Sequence, residues 1–337
     1  MNREKYSRQI LFAPIGADGQ EKLLASKTII VGCGALGTAQ ANALVRAGVG
    51  TVRIVDRDYV EPSNLQRQML FDEADAAENL PKAVAAERKL EAVNRDVQVE
   101  GVVADFDSRN AEDLVAGFQV ILDGTDNFET RYLLNDVAVK LAIPWVYGAA
   151  VGSLASTMTI LPGRSACLAC VYPEPPKGLH PTCDTVGVIS PAVSWAAAIQ
   201  VSEAIKILLG QEQALHGALM SYDVWTNRLQ QVTPRQDPAC RVCGQREFVH
   251  LTGGGATHVT LCGRNSVQIH QRESRALDLE ALRGRLEQFG PVRANAYLLK
   301  CRLDPYELTV FPDGRAIVKG TDDPAVARGI YAKYIGA

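Results

Sequence analysis

Asp56, Asn64, Gln66, Arg67 and Gln68 crowd into the short stretch DRDYVEPSNLQRQ, residues 56–68. An acid at its head suits a ribose hydroxyl. Arginine offers a rigid fork that matches phosphate oxygens, while Asn64 and Gln68 orient uncharged oxygens without adding net charge. Lys82 follows Pro81 at the start of an expected helix, where the helix dipole disfavours a cation unless something negative offsets the cost. Asp126 and Asn127 lie in DGTDN, residues 123–127, at the end of a further apolar run. Magnesium commonly binds through one or two carboxylates together with substrate phosphates. Asp126 is therefore the candidate ligand for Mg²⁺, and Asp123 a structural acid at a strand end. Taken together these residue types suit a triphosphate better than a hydride donor. The plainer alternatives are a solvated loop for Arg67, an ordinary helix lysine for Lys82, and an N-cap on the following helix for Asp126.

Such residues need a frame that gathers them. Gly32, Gly34 and Gly37 in GCGALG fit G-x-G-x-x-G between an expected strand and helix, and Asp56 falls 19 residues after Gly37 (56 − 37) at the end of the next strand. Glycines there let the backbone approach a phosphate at a helix N-terminus, where unpaired N–H groups favour an anion. Tight helix-to-sheet packing alone is the alternative. ATP and a dinucleotide would use the same turn, so an NAD-dependent oxidoreductase stands as the rival supported by the glycines alone.

Beyond this unit, apolar runs and helical segments alternate as far as Gly152, which implies a parallel sheet covered on both faces. Strand-like stretches then succeed one another, as in GALMSYDVWTNRLQQVTP (217–234), so antiparallel strands should join the sheet. The expected fold class is α/β, a Rossmann-like doubly wound sheet, parallel at first with added antiparallel strands, plus a small C-terminal α+β module. The expected domains are residues 1–249, a linker at 250–258 (HLTGGGATH), and residues 259–337. In the last, PDG should turn a hairpin, and Pro324 stands in the first turn of a final helix.

Hydrophobic residues make up 47% and charged residues 22% of the 337, which suits a packed globular chain and argues against disorder. Net charge is only −3, with no long block of one sign, so neither a nucleic-acid surface nor an acidic tail is expected. The charged first residues lack an apolar signal core, which points to a cytoplasmic protein. In SPAVSWAAAIQVSEAIKILLG (190–210), Gln200, Glu203 and Lys206 recur at helical spacing. They should share one face of an amphipathic helix, and no membrane span is expected.

In a reducing compartment, eight cysteines read as metal ligands, catalytic thiols or small core residues. CLAC (Cys167, Cys170) and CRVC (Cys240, Cys243) are two C-x₂-C pairs that can complete a tetrahedral structural Zn²⁺ site. Two redox pairs are the alternative. Cys183 stands outside both, in a polar loop, as a candidate nucleophile or a non-essential thiol. Cys33, Cys262 and Cys301 read as packing residues.

GCGALG, DRDYVEPSNLQRQ, PKA and DGTDN, in this order and spacing, resemble the ThiF/MoeB/HesA family, relatives of the ubiquitin-activating enzymes. The resemblance runs from YSRQILF to CRVCG, and the tail is similar to that of the longer bacterial ThiF-type proteins. It implies adenylation of the C-terminal glycine of a small ubiquitin-like sulfur carrier protein by Mg-ATP, with release of pyrophosphate. On matching positions, Asp56 would hold the ribose, Asn64, Arg67 and Lys82 the phosphates, and Asp126 the magnesium. Gly32, Gly34, Ala35, Gly37, Ser63, Leu65, Gln66 and Asn127 would complete the nucleotide site. Arg8, in YSRQI, would reach across a homodimer into the neighbour's ATP site. Cys183 would take part in sulfur transfer, fed by a sulfur donor protein. Cys183 and the tail favour a ThiS-type carrier of thiamine biosynthesis over a MoaD-type carrier of molybdopterin synthesis. One departure is Ala35, where family members often have glycine; a methyl group in the helix's first turn is tolerable there. A C-terminal carboxylate, with a pKa of roughly 3.5, is already ionised at neutral pH and needs no general base. That agrees with the absence of histidine from these motifs. A carrier-binding module without catalysis is the remaining alternative.

Overall fold

The computed structural model describes residues 4–174, 183–252, 258–261, 265–269 and 277–336. The chain divides into two compact units, residues 1–254 and 255–337.

In the first unit, short helices α1 (Ser7–Ile10) and α2 (Gly16–Leu24) lead into β1 (Lys27–Val31), α3 (Ala35–Ala47) and β2 (Thr51–Asp56). The alternation continues through α4 (Glu73–Glu78), α5 (Lys82–Val93), β3 (Gln98–Val103), α6 (Ala111–Val115), β4 (Val120–Asp123), α7 (Phe128–Leu141) and β5 (Trp145–Val151). Then come β6 (Leu154–Ile160), α8 (Leu168–Val171), α9 (Cys183–Val186), α10 (Ser190–Leu209), the hairpin β7 (Leu219–Asp223) to β8 (Arg228–Val232), and α11 (Val249–Thr252).

The eight strands form one sheet in the order β3-β2-β1-β4-β5-β6-β7-β8. β3, β2, β1, β4 and β5 run parallel, and β6, β7 and β8 are added antiparallel, as the sequence led us to expect. Chain order reverses between β1 and β4, the switch point at which a crevice opens beyond the strand C-termini. One sheet face packs on α6 and α7 through Ile29, Val31, Ile121, Leu134 and Val137. The other carries α3 and α10, joined through Leu36, Ala39, Val193, Ala196 and Ala197. α3 stops where Gly48 adopts φ +79, and a Cβ there would strike the Tyr6 ring at 2.6 Å. Glycine is thus required both for the left-handed cap and for the close approach.

The polar row of α10 does not face solvent. Gln200 is fully buried and Glu203 is 1% exposed; Glu203 accepts from Thr159 Oγ1 at 2.9 Å and pairs with Lys206 at 2.6 Å. The 3.6-residue spacing locates a face but not what lies opposite it, and here the row points into the sheet. α10 is long and apolar enough to cross a membrane by composition, yet more than half of it packs inside this unit.

The second unit is a six-stranded antiparallel sheet in the order β11-β12-β13-β14-β10-β9. It comprises β9 (His258–Leu261), β10 (Ser266–Ile269), α12 (Leu279–Leu286), β11 (Val292–Ala294), β12 (Leu299–Leu303), β13 (Tyr306–Val310), β14 (Ala316–Lys319) and α13 (Pro324–Tyr334). PDG turns β13 into β14, and Asp323 caps α13 ahead of Pro324. β11 and β12 were not read from the sequence. Val267, Leu282, Leu286, Leu308, Val318, Ala327 and Tyr331 form the core. Cys301 is buried in β12, whereas Cys262 lies outside the described residues. The division at Gly254/Gly255 falls between α11 and β9.

Candidate active site and cysteine cluster

Three glycines shape the backbone at the switch point, two by close packing and one by leaving space. Gly32 has φ +94, and a Cβ on it would lie 2.6 Å from Gly124 O beyond β4; a Cβ on Gly37 would collide with Gly32 O. Both are close-packing positions. Gly34 differs, because the nearest atoms to its would-be Cβ are Gln68 Nε2 and Gly124 O, each 3.9 Å away. It is the N-cap of α3, so the missing side chain leaves room beside the unpaired N–H groups of the first turn. Ala35 opens that turn, half-buried.

Asp56 ends β2. Its Oδ2 accepts the Cys33 N–H at 2.5 Å and its Oδ1 the Asp58 N–H at 2.6 Å, which aims the carboxylate across the glycine turn. Burial pushes its pKa up, while Lys82 pulls it down and Asp58 pushes it up again. Cys33 is a buried packing residue, its thiol raised by burial. Lys82 opens α5 at 4% exposure. Its N–H donates to Asp58 O at 2.9 Å and its Nζ lies 3.2 Å from Asp58 Oδ2.

A 3-10 turn at Pro62–Asn64 shapes the following loop, locked by reciprocal capping between Glu61 and Asn64. Glu61 N–H donates to Asn64 Oδ1 at 3.1 Å, and Asn64 is 4% exposed. Gln68 is buried beside Gly34, and its Oε1 has no hydrogen-bond partner among the described residues. The amide nitrogen of Gln68 lies beside the open glycine, and its buried unsatisfied oxygen fits a ligand donor. Arg67 is half-buried and donates from Nη1 to Ser63 O at 3.0 Å, so it folds back on its own loop. Ser63 and Gln66 are exposed, Leu65 half-buried.

At the end of β4, Asp123 is fully buried and accepts from Thr125 N–H at 2.9 Å, Thr125 Oγ1 at 2.6 Å and Arg131 Nε at 3.1 Å. It is structural. Asp126 is exposed. The N-cap of α7 is not Asp126 but Asn127, whose Oδ1 accepts Thr130 N–H at 2.9 Å. Burial lowers the pKa of Arg57, but Asp105, Asp58, Asp126 and Asp56 around it raise it on balance, so these acids share one neighbourhood.

The structure thus gathers the glycine turn, Asp56, Lys82, Gln68 and the Asp126 loop. It does not bring Arg8 to them. Gln9, beside it on α1, donates to Ala47 O at 2.9 Å, at the far end of α3. A helix of 13 residues spans about 20 Å, so Arg8 stands near the N-terminal ends of the parallel strands, away from the crevice. Cys183 begins α9, and the backbone after it is stitched to the turn beyond β5: Gly152 N–H donates to Gly187 O at 2.8 Å and Ile189 N–H to Gly152 O at 3.0 Å. Its side chain lies outside the described residues.

The two cysteine pairs meet. Sulfur separations are 3.9 Å for Cys167–Cys170, 3.6 Å for Cys167–Cys240 and 3.4 Å for Cys170–Cys243, and all four lie within 4.8 Å of one another. Four sulfurs about 2.3 Å from one tetrahedral ion stand roughly 3.8 Å apart, so the group can hold a metal. Asn135 donates from Nδ2 to Cys167 Sγ at 3.6 Å and accepts Leu168 N–H at 2.9 Å, an outer support for the ligand turn.

Residues 6–242 match the ThiF family. The chain belongs to the ThiF family. A Bacillus subtilis (strain 168) protein named sulfur carrier protein ThiS adenylyltransferase is 49% identical over 336 residues, 98% of this chain and 99% of its own length. The Escherichia coli K12 protein of the same name is 38% identical over 71% of this chain and 94% of its own. The SAMP-activating enzyme E1 of Haloferax volcanii is 40% identical over 72% and 89%. In fold, this ThiF-family chain resembles the crystal structure of E. coli MccB, with a TM-score of 0.64 at 23% identity over 72% of this chain and 73% of that one. Set in the ThiF family, the crevice shows what the motif reading missed. Asp58 offsets the cation of Lys82, and its only signal was a second acid two residues after Asp56. Arg131 was read only as part of a helix, yet it braces the Asp126 loop from a buried position.

Proposed function

We propose that this chain uses ATP to adenylate the C-terminal glycine of a ubiquitin-like sulfur carrier of the ThiS type. It is an adenylyltransferase. The observation that supports the carrier class is the 49% identity to the B. subtilis ThiS adenylyltransferase, which runs through both units. Asp56, oriented by two backbone N–H groups, holds the ribose hydroxyls. Gly34 and the first turn of α3 leave space for the nucleotide, with Gln68, Asn64, Arg67 and Lys82 as its polar partners. Asp126 is the carboxylate that would hold magnesium, which when bound neutralises phosphate charge. The carrier carboxylate attacks the α-phosphorus; the new bond is carboxylate oxygen to phosphorus, and the bond to the bridging oxygen breaks to release pyrophosphate. No proton moves, so positioning and charge neutralisation suffice.

Arg8 acts in a homodimer, from one protomer to the other's crevice, which agrees with its distance from its own. Cys183, following activation, takes part in moving sulfur from a donor protein to the carrier. The four cysteines hold a structural zinc, which ties the Cys240–Cys243 turn to α8.

The test mixes the protein with ThiS-type and MoaD-type carriers and Mg-ATP, follows pyrophosphate exchange into ATP, and weighs the carriers by intact mass. A ThiS-type carrier should gain an AMP adduct. Arg67→Ala and Asp126→Ala should lose exchange while circular dichroism is unchanged; unimpaired exchange in both removes the site assignment. Preference for NAD over ATP would move the chain to redox chemistry.

A further inference from the structure

β4 and β5 pair at only two positions, Ile121 with Trp145 and Leu122 with Val146, although β5 continues to Val151. Beyond Leu122 the ladder ends, and the polar groups that face the gap need other partners. Side chains from opposite layers supply them, beside the Asp123 carboxylate, which accepts the Gly148 N–H at 3.4 Å, and Gln40 Nε2, which donates to Asp123 O at 2.9 Å. From α7, Arg131 Nη2 donates to Thr125 O at 2.8 Å and to Gly148 O at 3.0 Å, while its Nε donates to Asp123 Oδ2 at 3.1 Å. From α10, Gln200 Nε2 donates to Asp123 O and Val146 O, both at 2.9 Å. Its Oε1 accepts from Gln40 Nε2 at 2.6 Å. A side chain on Gly148 would collide with the Gln200 amide, so glycine admits this clasp.

Arg131 is 5% exposed and Asp123 fully buried. A buried ion pair is weak evidence for stability, since well-packed apolar residues of similar volume often serve as well. What such residues cannot do is hold three oxygen atoms at set directions, which the planar guanidinium does. One of these, Thr125 O, belongs to the peptide plane that carries the Asp126 nitrogen.

We propose that Arg131 is a positioning residue: it bridges the parted ends of β4 and β5 and thereby fixes the Thr125–Asp126 peptide, and with it the Asp126 carboxylate in the crevice. This rests on the adenylation proposed above for its kinetic consequence, but not for its structural one. Gln200 closes the same gap from the other face.

Arg131→Lys keeps a cation for Asp123 but cannot span Asp123, Thr125 and Gly148. Amide hydrogen exchange across residues 124–128 should quicken about tenfold or more, with β1 and α3 unchanged, and this readout needs no carrier. In pyrophosphate exchange, kcat should fall on the order of tenfold to a hundredfold, and the magnesium concentration for half-maximal rate should rise several-fold. In an Asp126→Asn background the same change should cost less than about twofold, because the group it positions is gone. Unaltered exchange at residues 124–128, or losses that multiply across the two sites, would overturn the proposal. A wild type inactive with every carrier would end the adenylation reading, while the hydrogen-exchange comparison would still decide the role of Arg131. Should R131K not fold, Gln200→Met is read by the same hydrogen exchange and the same criteria.

Discussion

The ammonium of Lys82 lies 3.2 Å from Asp58 Oδ2 at the first residue of α5, with the lysine 4% exposed. A cation at a helix N-terminus works against the dipole, and the neighbouring carboxylate offsets that cost.

Removing the carboxylate should therefore expose the conflict. Asp58→Asn leaves a buried ammonium short of its counter-charge and should cost about 1–3 kcal/mol in the free protein. A bound triphosphate would restore the missing negative charge. The rise in melting temperature on adding Mg-ATP should be larger in D58N than in wild type. An equal or smaller rise would mean that the ammonium does not face the phosphates.

The glycine turn separates packing from binding. Gly37→Ala drives a methyl group into the Gly32 carbonyl and should cost about 3 kcal/mol or more in urea denaturation. Gly34→Ala meets nothing closer than 3.9 Å and should cost only about 1 kcal/mol as an N-cap change. Its nucleotide affinity, measured by calorimetry, should nevertheless fall about tenfold, or 1.4 kcal/mol. Wild-type affinity in G34A would show that the space beside Gly34 is not used.

Asp136, buried in α7 and accepting the His250 N–H at 2.8 Å, gives a pH signature. Burial pushes its carboxyl from 3.8 up to about 6, against the pull of the His250 N–H and of Arg241. Below 3.8 the folded and unfolded chains are both protonated at this site. Between 3.8 and about 6 only the unfolded chain ionises, so stability falls as pH rises, and above that range the penalty is constant. Asp136→Asn removes the penalty. It should gain about 1–2 kcal/mol at pH 8, less than the full shift because the amide must also be accommodated in the buried site, and almost nothing at pH 4. A variant no more stable than wild type at pH 8 would contradict this.

The cysteine cluster makes a metal-analysis prediction. Purified protein should carry zinc, and Cys170→Ser should lose it and melt several degrees lower, because the metal would join the ligand turns of α8 and Cys240–Cys243. Retention of metal and melting temperature in C170S would remove zinc from the structure's supports.

By itself, the sequence determined the pieces whose rules are local. Gly32, Gly34 and Gly37 lie between an apolar run and a helical one, so a strand, a tight turn and a helix N-terminus follow from backbone sterics alone. The alternation as far as Gly152 implied the parallel sheet, and two C-x₂-C pairs implied a shared ligand set. Tertiary structure decided whatever depended on a partner distant in the chain. Helical spacing put Gln200 and Glu203 on one face of an amphipathic helix without naming that face's neighbour; they are buried because β4, β5 and β6 offer carbonyls and a hydroxyl there. The sequence offered Asp126 as a cap for α7, and only the chain's path gave the cap to Asn127 and left the Asp126 side chain exposed. Arg131, an unremarked helix residue, acquired its place only when the ladder between β4 and β5 stopped short. Each of these outcomes turns on hydrogen-bonding groups left without partners by the fold, and no local pattern records which groups those will be.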